Sequence, residues 1–518
     1  MFSKKRALVA TTAAFAVAAL AGCSGGSSSD PTTSGDGGTG SGDAVRGELL
    51  TLGVISQVTS FAAANSNWAN ESPMMQAVYD SLLKMEPDGT IVANLATDWS
   101  WSEDRLTLTL DLRDDVTFSD GQALTADVAA QNVLRFRDGT SPNASNLGRV
   151  ADATAVDEDT VAITLSEPDP ALETYLTQNA GLQESPAAFD TADVDTIPVG
   201  SGAYVLNTGE TVAGTSYVFD ANADYWNPED QHYDKIVMNV YSDTTAMLNA
   251  VQGGQVNIAG VADNTQLEQM YAAGYSDVSN ELDWTGLILG DRGGVLNPAL
   301  GDAKVRQAIA YAFDRDAILQ AFVAGNGTVT GQIFPTYSPS FDAALDERYP
   351  YDPEMSKQLL QEAGYASGLE ISMPKTSGLP EAWFTLIQQQ LADVGITVVY
   401  DDLPITDFIG DMVAGKYPAT YMILQQDPTD WQLASFQIAA ASTFNFNHYE
   451  DPTVEGLIGD LQVGDEAAGA ELNQYLVEQA WFVPFYRVLN VKVVDANTTA
   501  EAQVGNTWPY LWTIKPVA

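Results

Sequence analysis

An α/β fold of two or three domains is predicted for this 518-residue chain by three observations: a period-two strand, amphipathic helices with legible caps, and helices that end in glycine ahead of the next element. The strand signal is clearest over 105–113, R-L-T-L-T-L-D-L-R, where Leu106, Leu108, Leu110 and Leu112 fall on one face. A turn at Asp120-Gly121 follows, and then Thr125, placed to cap a helix whose Ala129, Val133 and Phe136 sit at i, i+4 and i+7. Asp302 is placed to cap a second helix, with Val305, Ile309, Ala312 and Phe313 on its buried face. A third helix is expected over 353–363, stopped at Gly364. A fourth spans 383–394 and stops at Gly395 before a strand over 396–400. No internal repeat is present. The body from Val45 onward is about 470 residues in a chain that is 45% hydrophobic, enough to bury a large core.

The first 44 residues have a different character. Lys4, Lys5 and Arg6 precede an apolar run over 7–19, too short to span a bilayer permanently, and Leu20-Ala21-Gly22-Cys23 closes it. That string resembles a bacterial lipobox, so residues 1–22 are expected to be a lipoprotein signal peptide. Cys23, the only cysteine in the chain, is then the lipidated first residue of the mature protein. With one cysteine, no disulfide framework is possible. Residues 23–44, almost entirely Gly, Ser, Thr and Asp, are expected to form a flexible tether with a typical reach of roughly 25 Å. Its Gly35–Gly40 run matches G-x-G-x-x-G, and Gly22–Gly26 matches G-x-S-x-G. Neither follows a strand or opens a helix, so both are discarded. The localisation expected is the outer face of a bacterial cytoplasmic membrane, held by the lipid.

Charge excludes one class of partner. Loss of Lys4, Lys5 and Arg6 with the signal leaves 19 basic against 69 acidic residues, a net −50 that argues against nucleic acid. The search for chemistry is nearly empty. His232 and His448 stand far apart with no other metal-ligating neighbours, which argues against a zinc site or a histidine-based triad. Gly415-Lys416 runs into Tyr417, so there is no P-loop. The acid pairs Asp427/Asp430 and Asp401/Asp402 arise freely in so acidic a chain. An exported chain with two or three domains and no catalytic constellation reads as a receptor, not an enzyme.

A series of short motifs, in order, carries a family resemblance. They include 78–83 (V-Y-D-S-L-L), Asp88-Gly89, Trp99, 112–121 (L-R-D-D-V-T-F-S-D-G), 125–128 (T-A-D-V), 199–204 (V-G-S-G-A-Y), 224–226 (D-Y-W), 248–254 (L-N-A-V-Q-G-G), 305–308 (V-R-Q-A), Asp314-Arg315 and 363–365 (A-G-Y). Together they resemble the extracytoplasmic solute-binding proteins of peptide and nickel ABC importers, family 5. The resemblance implies an α/β, two-lobed periplasmic-binding-protein-like fold of class II type, with an extra subdomain in lobe I, around a ligand cleft. Lobe I would comprise 45–285, with its subdomain at about 90–196, together with a C-terminal return over 495–518. Lobe II would comprise 286–494, and hinge strands would lie near 284–291 and 491–495. Gly121, Gly200, Gly202 and Gly364 are expected at turns or helix ends with positive φ. Arg306 and Arg315 are expected to be ion-pairing or capping residues inside a lobe. The partners implied are a peptide or other small ligand, importer permease subunits and the membrane through the lipid. The protein is expected to act as a monomer without cofactor or metal.

In peptide-binding relatives a second-lobe stretch reads Trp-x-x-Asp-x-x-Asp/Glu-Pro, and its first acid holds the peptide ammonium. The aligned stretch here is 421–428, with Tyr421 in the aromatic place and Leu424 where the acid would be. A buried ammonium without a counterion is costly. Either Asp427 or Asp430 substitutes, or the ligand lacks a free N-terminus. Gln425, Gln426 and Trp431 suit neutral amides or hydroxyls, as in a blocked peptide or an oligosaccharide. Trp284 and Asn445 are further candidates by position. Oligopeptides lead as the expected substrate. A sensor or pheromone receptor would share every feature quoted.

Overall fold

A computed structural model describes residues 46–517. The expected signal peptide, Cys23 and the expected tether lie outside the described residues. The remainder is two α/β lobes sharing one nine-stranded sheet. Its order from one edge is Ala419–Gln425, Ser276–Leu289, Phe482–Val494, Ile258–Val261, Gly47–Val54, Tyr233–Val240, Ser216–Ala221 and Tyr204–Leu206, with Gly327–Val329 added on Phe482–Val494. The two longest strands, Ser276–Leu289 and Phe482–Val494, pair antiparallel along their lengths. The register shifts between Glu281 and Asp283 and again between Thr285 and Gly286. Val278 and Val494 pack into a core with Leu50, Met74, Phe219 and Trp508. Leu287, Val483 and Phe485 of the same strands pack into another with Ile309, Phe313 and Trp383. One strand pair thus serves both lobes.

The leucine strand forms over Thr107–Leu112 at the heart of a separate four-stranded antiparallel sheet, between Ala96–Trp101 and Thr160–Leu165, with Val150–Ala155 outermost. Leu108, Leu110 and Leu112 are buried there, as the alternation requires. Helix Ala126–Arg137 packs on this sheet, capped by Thr125 Oγ1 accepting from the Val128 amide. The Asp302 cap also forms, opening helix Ala303–Tyr311. Pro353–Glu362 and Glu381–Ala392 are helices, and Ile396–Leu403 is a strand parallel to Leu369–Thr376.

Two expectations need correction. Gly121 and Gly364 have positive φ, but Gly200 and Gly202 do not. Their requirement is space, since a Cβ at Gly200 would lie 2.0 Å from the Val78 carbonyl oxygen and one at Gly202 2.5 Å from its carbonyl carbon. Of the two roles expected of Arg306 and Arg315, ion pairing does not form among the described residues, and capping of helix-end carbonyls does. Both arginines are buried and clamp backbone: Arg306 donates to the carbonyls of Gln479 and Leu300, and Arg315 to those of Pro484, Tyr349 and Ala310. Five donors in a rigid fork let one guanidinium satisfy carbonyls from several elements.

Candidate ligand cleft

A cleft of about 580 Å³ opens between the segment 142–178 and the segment 425–462. Its position follows from strand parity. Asp283 pairs with Gln425 and Trp284 with Leu424, so the members of each pair share a face. Trp284 and Leu424 point into the core, and Gln425 points into the cleft, with Asp283 on its face. The sequence reading takes Trp284 and Leu424 together with Gln425; the first two lie one residue out of step with the open face, and Gln425 lies on it.

Three candidates line the cleft: Gln425, Asp427 and Trp431. The other six do not, and the scaffold uses their side chains. Trp284 Nε1 donates to Gln437 Oε1 at 3.0 Å. Tyr421 stacks on Trp383, and Thr285 donates to its hydroxyl at 2.8 Å. Leu424 is core. Gln426 is wholly buried and donates to the Ile333 carbonyl. Asp430 accepts from the hydroxyls of Ser338 and Ser340. Asn445 Oδ1 accepts from Arg292. The two histidines are likewise local: His232 Nε2 meets the Trp512 carbonyl oxygen at 2.9 Å, and His448 Nδ1 that of Ala440 at 3.0 Å. Among the described residues no group of three or more His, Cys, Asp or Glu side chains is placed to hold a metal ion.

Asp427 is the distinctive group. Its Oδ2 is buried and accepts no hydrogen bond. Burial pushes its pKa up to about 7, opposed in part by the Gln437 amide and reinforced by the charge of Asp283. Asp283 is itself raised to about 6 by burial. Among the described residues, no arginine or lysine charge offsets either shift.

The opposite wall carries residues that sequence reasoning missed. Arg149 Nε lies 3.2 Å from Glu167 and its Nη1 3.7 Å from Asp169. Asp169 also accepts from Trp431 Nε1 at 3.0 Å, directly across the cleft. Gln462 donates to the Pro168 carbonyl at 3.1 Å, a second crossing contact. Phe436 is exposed in the cleft on the π-turn Ala434–Ile438, edge-on to Phe444. A π-turn frequently marks a functional site, and this one follows directly on the helix bearing Trp431. Only the chain parity at Asp283 was available from sequence. The 142–178 wall has no local signature, because its residues meet 425–462 only in the folded protein.

Two lobes and a ligand-sized cleft between them, with a carboxylate oxygen in its wall that accepts no hydrogen bond, fit one class: a solute receptor. The family model for bacterial extracellular solute-binding proteins, family 5 Middle, matches residues 90–444, and the chain belongs to that family, which supplies ABC importers with their binding component. It is similar to the glutathione-binding protein GsiB of Escherichia coli strain K12, with 28% identity over 370 residues that cover 67% of this chain and 68% of that protein. Among solved structures, HbpA2 from Haemophilus parasuis superposes with a TM-score of 0.80 at 21% identity, covering 91% of this chain and 100% of that one. The periplasmic binding protein DppA from Helicobacter pylori, in complex with the peptide STSA, gives 0.71 at 19% identity, covering 91% and 98%.

Proposed function

We propose that this chain is the lipid-anchored receptor of an ABC importer, capturing oligopeptide-like solutes by lobe closure and handing them to a membrane permease. The observation that carries the ligand class is the Asp427 carboxylate: the residue lines the cleft, and its buried Oδ2 accepts no hydrogen bond. A ligand ammonium supplies the missing partner, so Asp427 takes over the role that Leu424 has lost. Asp430 is unsuited to it, because both its oxygens are already bonded to serines.

The lobe boundaries, 45–285 with 495–518 and 286–494, fit the two cores that share the long strand pair, and closure would flex that pair at its two register shifts. A neutral ligand, either a blocked peptide or an oligosaccharide, is the second reading, favoured by Gln425, Trp431 and Phe436 in the same cleft. Titration calorimetry with a tripeptide and its N-acetylated form separates the two: loss of binding on acetylation supports an amino anchor, and equal binding supports the neutral ligand. Anchoring through Cys23 predicts a membrane-bound protein that Cys23→Ala releases.

A further inference from the structure

We infer that the cleft selects solutes of net positive charge and sets no side chain aside for a ligand carboxylate. This deepens the amino-anchor reading of Asp427 and rests on it. Among the described residues, Arg149 is the only arginine or lysine lining the cleft, against three acids, Glu167, Asp169 and Asp427. Arg149 is also already engaged. Glu167 and Asp169 flank its guanidinium at 3.2 and 3.7 Å, and its Cζ lies 5.1 Å from the centre of the Trp431 ring. Two carboxylates more than neutralise it, and the indole covers one face.

A zwitterionic peptide entering this cleft brings a carboxylate into a site where acids outnumber the one cation and that cation already faces two protein carboxylates, although its buried Nε makes no hydrogen bond. The peptide carboxylate loses water and gains no partner. A basic side chain on the ligand meets carboxylate instead, and a C-terminal amide simply removes the charge that would lose its water without gaining a partner. Negative walls of low dielectric focus the field and concentrate such cations before docking. The preferred class is therefore basic or carboxylate-free oligopeptides, and acidic ones are excluded.

The test is calorimetry on the processed full-length protein at pH 8, where Asp427 is ionised. Ala-Ala-Ala, its C-terminal amide, Ala-Lys-Ala and Ala-Asp-Ala form the series. The amide and the lysine peptide are expected to bind at least tenfold tighter than the free acid, and the aspartate peptide weakest. A flat series, or tightest binding by Ala-Asp-Ala, overturns the inference. N-acetyl-Ala-Lys-Ala-amide separates this inference from the reading beneath it. If it binds as well as the unacetylated amide while the charge order holds, the amino anchor fails and the charge preference stands. If acetylation abolishes binding and the charge series is flat, the reverse is true. Arg149→Gln gives an independent check. The ratio of free-acid to amide affinity is expected to stay constant, and a selective loss of free-acid binding would show that Arg149 holds the carboxylate after all.

Discussion

The indole of Trp431 donates from Nε1 to the carboxylate of Asp169 at 3.0 Å, and both side chains are 4% exposed. The two residues come from opposite walls of the ligand cleft, so this bond ties the walls together with protein groups alone. Asp169 also accepts from the Ala171 amide, and its pKa is raised chiefly by burial. Trp431→Phe keeps the ring and removes the donor. It is expected to cost about 1–3 kcal/mol, because the carboxylate stays buried with one bond fewer. It should also widen the ligand-free protein. Urea denaturation and small-angle scattering check this, and an unchanged midpoint and radius would show that the bond contributes nothing to closure.

Asp427→Asn should stabilise the ligand-free protein. The folded-state pKa of about 7 lies above the ordinary carboxyl value, so the folded state holds the proton more tightly than the unfolded chain. Between about pH 4 and pH 7 stability therefore falls as pH rises, and the full penalty applies above 7. The variant removes that slope and is expected to gain roughly 1–3 kcal/mol above pH 7. Denaturation midpoints at pH 5 and pH 8 measure it, and equal midpoints for variant and wild type at pH 8 would contradict the assignment.

Lys492 offers the opposite sign. It sits on the long strand Phe482–Val494, 3% exposed, and donates to Asn490 Oδ1 at 2.7 Å with its ammonium over the Trp508 ring. Burial lowers its pKa to about 7. Between about pH 7 and pH 10 the unfolded state binds the extra proton, so stability rises with pH through that window. Lys492→Met should stabilise by about 1–4 kcal/mol below pH 7 and converge on wild type near pH 10. A pH series of thermal melts reads both limits.

Arg315→Met is expected to be severe. It strands the carbonyls of Pro484, Tyr349 and Ala310 in the core around Phe313 and Phe485, each at about 1–3 kcal/mol. The expected result is insoluble protein or a urea midpoint far below wild type. A mild loss would mean that water reaches these carbonyls.

Much of the scaffold is legible in sequence because its signals are local. Thr125 and Asp302 cap the helices expected of them, and the leucine alternation buries three of its four members. Arg306 and Arg315 read as interior residues, but their partners are backbone carbonyls, which have no sequence signature. The cleft is less legible. Gln425, Asp427 and Trp431 lie close enough in sequence to be found together, but the strand pairing that turns Leu424 inward and puts Asp283 beside Gln425 joins residues about 140 positions apart. Arg149 and Asp169 belong to a wall assembled wholly by tertiary structure. Gly200 and Gly202 illustrate the same limit, since their need for space depends on Val78, far away in the chain.

The most direct test of the amino anchor is calorimetry of Ala-Lys-Ala-amide and its N-acetylated form on wild type and Asp427→Asn, from pH 5 to pH 8. The account predicts that wild type loses at least tenfold in affinity on acetylation. It also predicts that affinity for the free amine weakens as pH falls below about 7, because an ammonium must then displace a proton from Asp427. The variant should show neither effect. Equal binding of both peptides by wild type, independent of pH, would contradict it.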